Sequence, residues 1–439
     1  MNKDNFLFEN LSIKKLFFKF AIPSTLGMLI VALQIMIDGI FIANVVGPNG
    51  LGAINISMSL LTFSTGIAIM ISSGGAVLTG MYLGDKKYKK AREVQSFTFL
   101  IYVIINIIFS LGIIIFFKEV LWFLGVTPSM VDYVKTYLSI MVAFNLFYNA
   151  PILTETFLRV NGKPNLVFFS GLIALTINIF LDYIFVVRLN LGMKGAAMAT
   201  VIAAGTAALV FLPQLKFTRP RGNLQLLKTI LFNGSSEMFS VLSSAVTIYV
   251  FNRAVLKYIG ELGVSALTIV FYIDSLVNIS LYGLTMALQP IVSYNLGAKK
   301  IKNIYSVLKI SLITSGILGG IFFIFMKFYS TPLIKVFTKE NLALTNLAKE
   351  VIFYYTFTYI FSFINIISGA FHTAIGKPVE SVVISLSKSI LFVMVPLAIL
   401  PIFLGNKGIW LATPTGEALC AILSIYLLMK SIDSLDAIK

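Results

Sequence analysis

Five acidic residues interrupt long apolar runs: Asp38, Asp182, Glu237, Asp274 and Glu417. A charge placed in mid-membrane costs about 2.5–3.5 kcal/mol on insertion scales, so each needs a reason. Asn178 and Asp182 are four residues apart and stack on one face of a helix. An amide carbonyl and a carboxylate so placed offer hard oxygen ligands to a small cation. Asp38 and a hydroxyl such as that of Thr200 would complete an oxygen cage for sodium. The same carboxylates could instead carry protons, and the plainest role for them is to tie helices together by hydrogen bonds. Glu237 follows Asn233-Gly234-Ser235-Ser236 near a helix start, where it either lines a cavity or favours the helix dipole. Asp274 has Tyr272 and Asn278 nearby and is expected to pair with Arg253. Glu417 follows Thr413-Pro414-Thr415-Gly416, a kink that would open to a cavity. Tyr148 and Phe147 are placed to stack on flat cations. The lone His372 reads as a packing residue, and Cys420 as a small helix-packing one.

These residues need helices that cross a membrane. The 439 residues are 58% hydrophobic and only 12% charged, against about 25% charged in globular chains. Twelve apolar stretches are long enough to span: 17–46, 51–83, 94–117, 130–158, 166–188, 194–216, 228–256, 263–294, 304–327, 343–374, 380–403 and 407–430. Long continuous runs such as Ile101–Phe117 exclude a β-barrel, whose strands alternate in polarity. The fold class is therefore an all-α membrane protein of twelve transmembrane helices.

The net charge of +16 suggests a nucleic-acid partner at first sight. Its placement excludes one. Lys86, Lys87, Lys89, Lys90 and Arg92 follow span 2, Arg159 and Lys163 follow span 4, and Lys299, Lys300 and Lys302 follow span 8. With Lys3, Lys14, Lys15, Lys216, Arg219, Arg221, Lys228 and Lys377 they fall on one side; Lys335 and Lys339 fall on the other. By the positive-inside rule both termini are cytoplasmic, in a multi-pass protein of the cell membrane. The N-terminus has no cleavable signal pattern, so the first span acts as the insertion signal. No Gly-Lys-Ser/Thr phosphate loop is present, so ATP does not drive the protein directly, and no His/Cys/carboxylate spacing suggests an enzyme metal or other cofactor.

The two halves repeat each other. Leu83-Gly84-Asp85-Lys86-Lys87 returns as Leu296-Gly297-Ala298-Lys299-Lys300, Gly162-Lys163-Pro164 as Gly376-Lys377-Pro378, and Lys194-Gly195 as Lys407-Gly408, at offsets of 213, 214 and 213. A duplicated unit of six spans enters the membrane from the same side both times, so the two repeats are parallel. The expected organisation is an N-terminal lobe over 1–216, a cytoplasmic linker over 217–227 containing Pro220, Arg221 and Gly222, and a C-terminal lobe over 228–439. Two such lobes enclose a cleft suited to alternating access.

The motif Gln289-Pro290-Ile291-Val292-Ser293-Tyr294-Asn295-Leu296-Gly297-Ala298 resembles the strongest signature of the multidrug and toxic compound extrusion (MATE) family. Asn233-Gly234-Ser235-Ser236-Glu237 followed by Leu242-Ser243-Ser244 looks like its bacterial branch of staphylococcal multidrug pumps. The resemblance covers nearly the whole chain. It implies a V-shaped two-lobe bundle that exports organic cations or related metabolites, as a monomer, in exchange for sodium or protons. The family's N-lobe cation site uses a helix 1 aspartate, a helix 5 Asn-x-x-x-Asp pair and a helix 6 threonine; Asp38, Asn178, Asp182 and Thr200 match. Glu237 is the candidate for the helix 7 glutamate used in part of the family, whereas Val241 stands where the related branch often has a second acid. Glu237, Asp274, Tyr148 and Glu417 are the expected substrate-cavity residues. A flippase for lipid-linked sugars is the alternative, wanting a basic cavity to which Arg253 and Lys388 could contribute. A receptor or scaffold without transport is a second, and it predicts that neutralising Asp38 and Asp182 changes stability alone.

Overall fold

The computed structural model describes residues 6–126, 128, 130–338 and 341–436; Lys3 and Lys339 of the charge map lie outside them. Lipid offers no hydrogen-bond partners, so apolar runs of this length satisfy their backbone internally as helices. The helices are α1 (Phe6–Asn10), α2 (Ile13–Val45), α3 (Pro48–Gly84), α4 (Tyr88–Ile115), α5 (Phe117–Phe123), α6 (Val131–Ala143), α7 (Asn145–Tyr148), α8 (Ala150–Val160), α9 (Pro164–Asp182) and α10 (Gly192–Phe211) in the first half. The second half holds α11 (Leu224–Tyr258), α12 (Glu261–Gly297), α13 (Ile301–Thr338), α14 (Leu342–Tyr355), α15 (Ser362–Ala374), α16 (Pro378–Leu386), α17 (Phe392–Leu404) and α18 (Asn406–Asp436). Ten spans among the described residues are long and apolar enough to cross a membrane, and two bent pairs bring the number to twelve.

The bends fall in the fourth span of each half. Val131–Ala143 meets Asn145–Val160 at 74°, and Leu342–Ile360 meets Ser362–Ala374 at 42°. Side chains hold the first bend. Asn145 Nδ2 donates to Asn106 Oδ1 at 2.7 Å, and Asn149 Nδ2 donates to Ser64 Oγ at 2.8 Å. The Tyr102 hydroxyl donates to the Leu146 carbonyl at 2.7 Å, which serves backbone freed by the break. A break with such partners survives in lipid because no polar group is orphaned.

Backbone conformation repeats as the motifs do. Left-handed φ values recur at Gly47 (88°) and Gly260 (92°), Lys86 (59°) and Lys299 (55°), Gly162 (76°) and Gly376 (75°), and Gly192 (54°) and Gly405 (56°). Each pair is 213 or 214 residues apart. At Gly260 a Cβ would meet nothing within 4 Å, so only the backbone demands glycine there. Gly260→Ala is expected to cost about 1–2 kcal/mol, seen as a thermal midpoint lowered by a few degrees in detergent with export unchanged.

Packing divides the bundle by depth. Ile42, Ala53, Val134, Leu138, Met193 and Ala197 form a core within the first half, and Val255, Ala266, Leu267, Ile352, Ile409 and Trp410 form one within the second. Both lie toward the helix ends away from the basic loops. At the basic-loop end a shared core takes Phe17, Phe20 and Leu83 from one half and Leu288, Tyr294 and Phe371 from the other. Two halves joined at one end, with separate cores at the other, make the V-shaped two-lobe bundle. The short helix α1 covers the joined end, with Phe8 stacked on Tyr294 at 4.5 Å.

Candidate functional site

Helices α2 and α9 pack together and bring Asp38, Asn178 and Asp182 into mutual electrostatic reach. Asp182 ends α9, and the chain continues as a π turn over Tyr183–Arg188, a widened turn often found at functional sites. Asn178 and Asp182 are fully buried. Both polar atoms of Asn178, both carboxylate oxygens of Asp182 and Oδ1 of Asp38 are buried with no hydrogen-bond partner beyond the trio itself. Buried polar atoms in native proteins are rarely left so, and a cluster of them needs an explanation. The trio makes up three of the four residues that the sequence groups as a cation site.

Thr200, the fourth expected ligand, lies on α10, which packs on α9, and its hydroxyl donates to the Ala196 carbonyl at 3.0 Å. Tyr148 lies beside Asp38 in the first half. Tyr137, which sequence reasoning missed, also comes within electrostatic reach of Asp38 and Asp182. Its position on α6, brought inward by the bend that follows, gave no periodic signal.

A second space lies between the halves. A cavity of about 260 Å³ is lined by Met28 and Arg159 from the first half and by Glu237, Tyr282, Met286 and Gln289 from the second, among others. Glu237 Oε1 accepts from Gln289 Nε2 at 2.6 Å. Arg159 Nη2 sits 3.5 Å from Glu155 Oε2, and its Nε donates to Ser24 Oγ at 3.3 Å. Arg159 is thus balanced by Glu155, and Glu237 remains as the cavity's excess charge. Asp38 is ten residues beyond Met28 along α2, about 15 Å at the helical rise, so the aspartates and this cavity occupy different depths.

Four expectations need correction. Arg159 is not a loop charge: it lies inside α8 and is buried, because Glu155 one turn earlier supplies its counter-ion. Glu237 does not open a helix: α11 begins at Leu224, where Asn223 Oδ1 accepts from the Leu226 amide at 2.8 Å, and Glu237 lies well within it. Asp274 does not pair with Arg253. Its Oδ2 accepts from Asn278 Nδ2 at 2.7 Å and from the Tyr355 hydroxyl at 3.2 Å, while the exposed Arg253 lies over the Tyr249 ring at 6.0 Å. Glu417 does not face the cavity between the halves: it is buried in the second half, 3.1 Å from Lys388 Nζ. Phe147 packs against Phe144 at 6.5 Å. His372 is fully buried, with Nδ1 2.7 Å from the Ser368 carbonyl oxygen, as a packing residue would be.

A bent twelve-span bundle with a duplicated backbone and a buried acidic site in its first half defines a class of membrane transporter. The MatE family model matches residues 23–184 and 238–427, so the chain belongs to that family, as its motifs implied. Among curated proteins, the multidrug export protein MepA of Staphylococcus aureus is 22% identical with 96% of each chain covered. MepA of Staphylococcus saprophyticus is 24% identical with 70% of each covered. Among solved structures, one of a MATE protein in complex with MaL6 superposes with a TM-score of 0.94 at 18% identity, covering 100% of each chain. An outward-facing multidrug resistance MATE family transporter gives 0.92 at 18% identity, covering 99% of each.

Proposed function

We propose that the chain is a secondary antiporter of the cell membrane that exports organic cations in exchange for sodium or protons. The observation that carries this reading is the trio Asp38, Asn178 and Asp182, with five buried polar atoms lacking partners outside it. Two carboxylates so close, and out of water, call for a monovalent cation or a proton between them. The multidrug export recorded for MepA, a relative over 96% of this chain, supports the direction of transport.

The cavity between the halves supplies the substrate side. Its excess charge is the negative one of Glu237, and its walls include Met28, Tyr282 and Met286, soft surfaces suited to varied flat cations. This balance disfavours an anionic lipid phosphate. The basic-loop end is assigned to the cytoplasm by its lysines and arginines. The halves are joined there, so this conformation faces outward. Coupling then requires that the ion bind one facing state better than the other. Ion and substrate sit at different depths and need not share a carboxylate; they act on one two-state bundle.

The test is ethidium efflux from cells expressing the chain, with sodium and pH varied separately. Efflux that follows one gradient supports the reading and names the ion; efflux under neither overturns it. Glu237→Gln keeps the shape and the bond to Gln289 but removes the charge. Its KM for ethidium is expected to rise about tenfold or more, with cation binding by the purified chain unchanged.

A further inference from the structure

Each half is led into the membrane by a short segment, and each segment is held by the other half. Asn10-Leu11, between α1 and α2, returns as Asn223-Leu224 at the start of α11, again at an offset of 213. The segment before α2 is thus the counterpart of the linker before α11. The linker leads into the second half but is bound to α4 of the first. The Thr218 amide donates to Ser96 Oγ at 3.0 Å, Gln95 Nε2 donates to the Lys216 carbonyl at 3.3 Å, and Arg221 Nη1 lies 3.9 Å from Glu93 Oε1.

The first segment crosses the other way. Helix α1 leads into α2, yet Phe8 stacks on Tyr294 of α12, with ring centroids 4.5 Å apart and planes 15° apart. The Tyr294 hydroxyl donates to Glu9 Oε1 at 3.4 Å. Phe8 also meets Phe20 of α2 at 5.4 Å, so its ring bridges the two halves. Leu7 and Leu11 pack on the same shared core, and Phe8 is only 3% exposed. The Tyr294 carbonyl oxygen is the atom that a Cβ on Gly84 would strike. Helix α1 therefore closes over the crossing of the two halves. The two straps differ in one respect. The linker is continuous with spans of both halves and stays attached in either facing state. Among the described residues α1 is continuous with α2 alone, and one ring stack and one hydrogen bond tie it to α12.

We infer that α1 is a releasable latch: docked on Tyr294 it holds the basic-loop end shut, and it must leave Tyr294 before the halves part there. The inference rests on the reading of two facing states given above. Parting the halves carries α2 away from α12, so Phe8 cannot keep both Phe20 and Tyr294. Exposing one buried phenylalanine shifts an equilibrium by roughly tenfold or more. That is enough to bias the two states yet small enough for the contact to be lost and remade in each cycle. A change in this short segment would reset the balance without touching Asp38, Asp182 or Glu237.

The experiment reads a distance on the purified full-length chain in lipid and needs no transport, so a chain that moves no ethidium can still support the latch. Spin labels at Lys87→Cys and Lys300→Cys, in a Cys420→Ala background, flank the joined end, and both lysines are exposed. Phe8→Ala is expected to raise the share of the longer, open distance relative to the closed one by about tenfold. Thermal unfolding of the same sample separates a latch from simple packing. A Phe8→Ala chain with the wild-type distance distribution overturns the inference, and a lowered thermal midpoint beside it makes Phe8 a packing residue only. If Phe8→Ala does not fold, Phe8→Leu decides, because it keeps an apolar side chain but loses the stack: a larger open share supports the latch, and the wild-type share overturns it.

Discussion

Cells carrying Asp182→Asn, with the protein in the membrane at the wild-type level, are expected to retain far more ethidium than wild-type cells, approaching cells that lack the protein. The reason lies in the two oxygens of Asp182, which have no partner outside the trio. On the proposed reading they and Asp38 hold a charge that a bound cation or proton neutralises. On the same reading the ion must bind one facing state better than the other. Asparagine is nearly the same size and is neutral, so the helices still pack but the ion loses half of its counter-charge. Coupling free energies of 1–3 kcal/mol correspond to roughly 5- to 150-fold; loss of the ion's differential affinity should lower the concentrative efflux rate by about that factor. Substrate binding should survive, because Glu237 lines a different space. The checks are efflux at matched abundance and ethidium binding to the purified variant. Efflux at the wild-type rate would sink the coupling role of Asp182, and a loss of binding would place the substrate at the aspartates.

Much of this architecture is legible in the sequence because lipid simplifies the rules. Apolar length alone locates the spans to within a few residues at most ends, and the Gly-Lys-Pro and Leu-Gly repeats locate the duplication. Asn178 and Asp182 are legible because they share a helix, where spacing determines the face. What was misread depends on contacts between helices. Nothing local distinguishes Arg159 in a loop from Arg159 buried against Ser24, which lies 135 residues earlier. Asp274 was matched to the nearest arginine by composition, whereas its partner Tyr355 is 81 residues away. Lys388 reads in the sequence as a contributor to a basic cavity, whereas in the fold it pairs with Glu417. The π turns at Tyr183–Arg188 and Ser387–Leu391 have no sequence signature of their own, yet Asp182 directly precedes one and Lys388 lies in the other.

Gly84→Val is expected to force the joined end apart. The two halves cross there at backbone contact distance: a Cβ on Gly84 would lie 1.9 Å from the Tyr294 carbonyl oxygen, and one on Gly297 would lie 1.8 Å from that of Met81. Gly84 and Gly297 are 213 residues apart, as are Met81 and Tyr294, so the crossing lies on the axis that relates the repeats. Deeper in the seam a Cβ on Gly74 would lie 1.9 Å from the Ile230 carbonyl oxygen, and one on Gly234 would lie 1.8 Å from that of Met70. Such approaches admit no side chain, and the obstacle is backbone, which cannot rotate away. Overpacking costs typically 1–3 kcal/mol, occasionally more, and it falls only on the state in which these helices touch. Facing states separated by a few kcal/mol would then shift toward the one open at the basic-loop end, by up to about 150-fold for 3 kcal/mol. Spin labels at Lys87→Cys and Lys300→Cys, in a Cys420→Ala background, read the separation directly because both lysines are exposed. Their distance distribution should move outward by several ångströms, and efflux should fall at least tenfold, since a pump that cannot close one side cannot complete its cycle. Gly112→Val, where a Cβ meets nothing within 4 Å, should alter neither. An unchanged distance in Gly84→Val would mean that the seam is not what holds the two halves shut, and that the shared core of Phe17, Leu288 and Phe371 is enough.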